Sequence, residues 1–201
     1  RELVAGNRDA YLPDLAASVN NHAATLAEVG RRVEAPAVSE EAVDLYRELV
    51  AGNRDAYLPD LAASVNNHAA TLAEVGRRVE ALAVSQEAVD LRRELAEGNR
   101  DAYLPDLAAS VNNQANRLAQ AGRRVEALAA SQEAVDLRRE LAEGNRDAYL
   151  PDLATSVNNH ANRLAQVGRR VEALAVSQEA VDLYRELAAG SRDAYLPDLA
   201  I

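Results

Sequence analysis

The chain has 201 residues, a net charge of −10, 48% apolar residues and 27% charged ones. Its apolar residues are almost all Ala, Leu and Val, with no Phe, Trp, Met or Cys, so the core must be built from small side chains packed at short range, of types that also favour helices. The acidic balance argues against nucleic acid or an acidic membrane as partner, the lack of Cys excludes disulfides and thiolate metal sites, and no stretch is apolar for long enough to span a bilayer.

The segment Tyr-Leu-Pro-Asp-Leu-Ala begins at Tyr11, Tyr57, Tyr103, Tyr149 and Tyr195, a period of 46 residues. A fixed period of roughly 20 to 50 residues marks a solenoid or a propeller. Complete repeats are 11–56, 57–102, 103–148 and 149–194, with partial repeats 1–10 and 195–201. The chain opens inside one repeat and closes inside another, without an initiator Met, which leads us to expect a piece of a longer array; Arg1-Glu2-Leu3-Val4 does not read as a signal peptide, and with no apolar span a cytoplasmic protein is expected.

In the first repeat Leu12, Leu15, Val19, His22, Leu26 and Val29 recur at spacings of 3 and 4, one face of an α-helix. This is helix A, expected over about Leu12 to Val29. After Gly30, Ala35, Val38, Ala42, Leu45 and Leu49 have the same spacing and predict helix B over about Arg32 to Val50. The short turn between them makes the pair an antiparallel hairpin. Pro36 stands where later repeats have Leu82, Leu128 and Leu174. Proline is tolerated only in a first turn, so the first helix B is expected to start late or bend. Gly52 is the expected left-handed residue closing helix B, and Asp55 the expected cap of the next helix A. Every such hairpin exposes an apolar face that only a neighbour can cover, so residues 1–201 are expected to form one cooperative all-α solenoid.

The apolar and small positions at Ala23 and Leu26, Gly30 in the turn, and Ala35 and Ala42 in helix B resemble the tetratricopeptide repeat (TPR). Val19-Asn20-Asn21-His22-Ala23 particularly resembles the core of the longer repeats of kinesin light chains and of many bacterial multidomain proteins. The resemblance implies a right-handed superhelix of antiparallel hairpins that binds a protein or peptide along the concave face of its A helices. Departures are the period, Ser39 at the second aromatic position, Arg47 for the closing Pro and His22 for Leu. They leave pitch and curvature open.

Carried over residue by residue, that face holds Asn20, Asn66, Asn112 and Asn158, with Asn21, Asn67, Asn113 and Asn159 beside them. An amide both donates and accepts, which suits a peptide backbone; it equally suits a tie between adjacent repeats. Ala24, Thr25 and Glu28 recur as Ala70, Thr71 and Glu74, but become Asn116, Arg117 and Gln120, then Asn162, Arg163 and Gln166. A polar or acidic ligand segment is therefore expected on the second half.

No catalytic constellation, phosphate loop or cofactor motif is present, and the acids Glu34, Glu41, Asp44 and Glu48 read as an outward face of helix B paired with Arg31, Arg32 and Arg47. The three histidines, His22, His68 and His160, with Gln114 in their place in the third repeat, lie too far apart for one metal ion. They are expected to hydrogen-bond across helices, with Ser39, Ser85 and Ser177 as candidate partners. Tyr11, Tyr57, Tyr103 and Tyr149 are expected at repeat junctions, an aromatic ligand platform being the other reading. The leading function is a protein- or peptide-binding scaffold within a larger multidomain protein. The alternatives are a structural spacer that self-associates end to end, or an engineered consensus array.

Overall fold

The computed structural model describes residues 8–195, and among them there are eight helices and no strand. Each repeat is a pair of helices: α1 (Arg8–Glu28) and α2 (Ala35–Gly52), α3 (Arg54–Glu74) and α4 (Arg78–Gly98), α5 (Arg100–Gln120) and α6 (Arg124–Gly144), α7 (Arg146–Gln166) and α8 (Arg170–Tyr195). Contacts divide the chain between Tyr103 and Leu104 into two compact units. In the first, α1 packs on α2, α2 on α3 and α3 on α4, with α1 also touching α3; in the second, α6 packs on α7 and α7 on α8. Among the described residues no helix is long and apolar enough to cross a membrane.

Small residues let these helices approach closely. Ala16, Ala62 and Val65 are fully buried in one cluster with Leu12, Val43 and Tyr46, and Ala154 and Val157 occupy the same places in the second unit. Tyr57 and Tyr103 pack half-buried against the first cluster and Tyr149 against the second, whereas Tyr11 is exposed.

The helix ends differ from the sequence expectations in three ways. First, the A helices begin at Arg8 and Arg54, ahead of Leu12 and Leu58. The cap is Asn53 and not Asp55: its side chain accepts from the Ala56 N–H at 3.3 Å, as Asn145 does from Ala148 at 3.2 Å. Asp55 sits inside the first turn, where its charge faces the positive end of the helix. Pro59 then lies within α3 and deprives the Asp55 carbonyl of a partner, on an exposed stretch that water can reach.

Second, Gly52 is the last residue of α2 and is not left-handed. The left-handed residues are Gly30, Gly76, Gly122 and Gly168, which close the A helices at φ of 78 to 83°. The Arg77 N–H reaches back to the Leu72 carbonyl at 3.0 Å and the Gly76 N–H to Ala73, which satisfies carbonyls the helix end would otherwise leave open. Because α1 ends at Glu28, Val29 leaves the helical period and is exposed, against its expected place on the buried stripe.

Third, α2 starts at Ala35 with Pro36 in its first turn, whereas α4, α6 and α8 start at Arg78, Arg124 and Arg170, the equivalents of Arg32. The late start expected from Pro36 is therefore present. Arg31 pairs with Glu34 and Arg47 with Asp44 as expected, whereas Glu48 pairs with Arg8 of α1 and Arg32 with Glu74 of α3. Arg54–Glu94 and Arg146–Glu186, at 2.7 Å, tie the start of an A helix to the end of its own B helix. Arg47–Glu87 at 2.9 Å and Arg139–Glu179 at 2.8 Å tie successive B helices together.

Candidate functional site

Within each unit, asparagines of neighbouring A helices meet. Asn67 of α3 donates to Asn20 of α1 at 3.5 Å, and Asn159 of α7 to Asn112 of α5 at 3.4 Å. Adjacent A helices are thus laced by one amide from each pair, so half of the expected ligand ladder already bridges repeats. Asn66 and Asn113 have interaction partners too. Asn21 and Asn158 are exposed.

Near the C-terminal ends of α5 and α7 a cavity of about 330 Å³ is lined by Asn116, Arg117, Ala119, Gln120, Arg163 and Gln166, five of which are among the residues chosen from sequence. Asn162 lies exposed on the same helix as Arg163. Arg163 donates from Nη2 to Asn116 Oδ1 at 2.7 Å and from Nη1 to Gln166 Oε1 at 3.3 Å. Its Nε is buried without a partner. Burial pushes the guanidinium below its ordinary pKa, because charge is costly away from water. No carboxylate lines this cavity. Arg163 is held by two amides and lies in the last turn of its helix, toward the negative end.

The histidine position lies at the junction between hairpins. Ser39 of α2, wholly buried, meets His68 Nδ1 at 2.8 Å and Thr71 Oγ1 at 2.9 Å, both on α3, and donates to its own helix at the Pro36 carbonyl, 3.0 Å away. Ser131 of α6 meets His160 of α7 in the same way at 2.8 Å. Burial pushes both imidazoles below their ordinary pKa, while His22 is exposed. Ser39 was expected as a partner; Ser131 and Thr71 were not, although Ser131 holds the repeat position of Ser39. Among the described residues no group of His, Cys, Asp or Glu is arranged to hold a metal ion.

A second cavity, about 390 Å³, was not expected from the sequence. It is lined by Val125, Leu128, Leu164 and Val176 with His160, Arg169 and Glu172 at its sides. Val33, Val79, Val125 and Val171 are all strongly exposed, and their recurrence at the repeat period was the available signal.

No family model matches the chain, and no curated protein matches it. Solved structures do. A putative kinesin light chain of Podosopora anserina with nearly identical TPR-like repeats superposes at a TM-score of 0.67 and 19% identity, covering 86% of this chain and 76% of that one. The fold is TPR-like. BtubC (BKLC) from P. vanneervenii matches at a TM-score of 0.57 and 19% identity over 76% of this chain and 57% of its own. At such identity the likeness concerns the TPR-like fold, and the side chains on the A-helix face have to be read from this chain itself.

Proposed function

We propose that the chain is a scaffold that binds a protein or peptide through the amide-bearing side of its A helices, with the site between α5 and α7 taking an acidic segment. The observation that supports this is the cavity around Arg163. In a chain of net charge −10, most described arginines lie against carboxylates, but this one is held by Asn116 and Gln166. A ligand carboxylate would supply the missing countercharge with a charge-assisted bond, and the amides alongside would hold its backbone.

A random peptide display library panned on the parent protein and on Asn116→Ala/Asn162→Ala tests the reading. Asn162 is exposed and Asn116 positions Arg163, so both losses fall on the binding face. Each lost amide contact is worth roughly 0.5 to 1.5 kcal/mol, so parent-selected peptides, enriched in Asp and Glu, should bind the variant about one to two powers of ten more weakly. Equal recovery of binders from both proteins would overturn the proposal and favour a spacer role.

A further inference from the structure

The cavity of about 390 Å³ in the second unit, walled by α6, α7 and α8, has no part in the site around Arg163 and shares no lining residue with it. It does not owe its opening to the end of the chain. Val176 on its wall is half-buried, as Val84 is in the first unit, and the Arg169–Glu172 pair is as exposed as Arg77–Glu80. Val125, Leu128, Leu164 and Val176 make its walls apolar, and the ring of His160 lines it beside them. Hydrogen-bond accounting fixes the state of that ring. Ser131 Oγ donates its only proton to the Leu128 carbonyl at 2.8 Å, so toward His160 Nδ1, also at 2.8 Å, it can only accept, and the ring proton sits on Nδ1. Ser39, which donates to the Pro36 carbonyl, holds His68 in the same way in the first unit. His160 Nε2 is therefore an acceptor. The hydrogen bond seen for this ring is the one at Nδ1, and burial holds the imidazole below its ordinary pKa, so Nε2 keeps its lone pair at neutral pH. The donors nearby are engaged: Arg169 bonds Glu172 through Nε and Nη2, and Gln132 bonds Asp136 at 2.9 Å.

We propose that this cavity is a small-molecule site for a neutral aromatic ring bearing one N–H donor, of the indole type, with the N–H given to His160 Nε2. Apolar walls call for an apolar body. An acceptor set among them calls for one donor, and because the neighbouring donors are engaged the ligand should bring no acceptor of its own, which indole does not. The size agrees, since small-molecule sites begin at about 300 Å³, and walls from three helices give the concave enclosure such a ligand needs. A charged ligand is disfavoured, because the one ion pair at the rim, Arg169–Glu172, is already closed on itself.

The chain contains no tryptophan, so the emission of added indole reports binding directly. Titration with indole should give a saturable blue shift with a Kd of about 0.1–1 mM, which is what burying one such ring of about 150–250 Å² supports. N-methylindole is more apolar but lacks the donor, and should bind about tenfold more weakly. Ala129→Arg, at an exposed position on the cavity wall, should abolish binding with an unchanged circular dichroism spectrum. Asn116→Ala/Asn162→Ala should leave indole binding intact, so failure here and failure of the Arg163 site are read separately. Nitrogen NMR of His160 should show the proton on Nδ1 in the free protein, and the Nε2 resonance should move when indole binds. The proposal is overturned by the absence of saturable binding up to about 10 mM, by N-methylindole binding as tightly as indole, by binding that survives Ala129→Arg, or by a free His160 protonated on Nε2. A capped tryptophan amide that binds more tightly than indole also overturns it, since the occupant is then a polypeptide.

Discussion

Replacing Ser39 by Ala removes the hydroxyl on which the first junction converges. His68 Nδ1, 2.8 Å from it, is left in a buried site without that partner, while Thr71 retains its bond to the His68 carbonyl at 2.9 Å. One orphaned buried group costs about 1–3 kcal/mol. Ser131→Ala should cost a similar amount through His160, since that contact has the same length. Ser177 holds the same repeat position but bonds only back to Leu174 of its own helix among the contacts seen for it, so Ser177→Ala should change stability by about 0.5 kcal/mol or less. The assay is urea denaturation followed by circular dichroism at neutral pH, in dilute protein so that copies do not associate, with hydrogen exchange on α3 and α7 to locate the loss. If Ser177→Ala cost as much as Ser39→Ala, or if Ser39→Ala cost nothing, the serine–histidine contact would not be what fastens the hairpins.

Burial, the largest influence on His68 and His160, lowers their folded pKa, with Arg77 and Arg139 among the cations acting in the same direction. Above about pH 6.5 these groups are neutral in both states and no stability is lost; as pH falls below it, the unfolded chain takes up protons that the folded one resists, so stability drops toward the folded pKa. Glu80, Glu94 and Glu172, held below the ordinary carboxylate range chiefly by hydrogen bonds from arginine, act only at more acid pH. Glutamine already fills the histidine position of the third repeat, buried, as Gln114. His68→Gln/His160→Gln should therefore fold and flatten the melting temperature between about pH 7 and 5, and an unchanged slope would exclude the histidines as its source. Gly76→Ala, at a φ of 80°, should cost about 1–2 kcal/mol, while Gly98→Ala, at a helix end with open space around it, should be neutral or stabilise by up to about 1 kcal/mol. Equal effects in thermal melts would contradict the assignment of the turn to Gly76.

The hairpin architecture was legible because the 46-residue period and the 3–4 spacing of apolar positions report the same helices independently. Helix ends were less so, for local reasons. Asn53 and Asp55 are both good caps, and the expected start at Leu12 and Leu58 rested on the apolar phase, which does not report the exposed first turn from Arg54 to Ala56. Each repeat also holds two glycines, and composition cannot say which of Gly30 and Gly52 turns left-handed, since that depends on which helix end must reverse within a few residues. On the A helices, Asn67 lies against Asn20 and Asn159 against Asn112. Which of them are used up in lacing Asn67 to Asn20 depends on the spacing of neighbouring helices, and a single helical wheel carries no information about that.

The substitutions that distinguish the later repeats also act together. Where the second repeat has Ala70 and Thr71, the fourth has Asn162 and Arg163. Thr71 completes the buried hydroxyl cluster with Ser39; at the same place Arg163 has no hydroxyl to give, and the Ser131–His160 contact persists without it. Its Nε is buried, and its Nη2 donates to Asn116 of the preceding repeat. Alanine in that place, as at Ala24 and Ala70, would offer Arg163 no side-chain acceptor. Asn116 and Arg163 thus form one physical unit. It takes a polar group out of the junction and places a desolvated cation beside the amides, which is the arrangement that a carboxylate-bearing ligand needs.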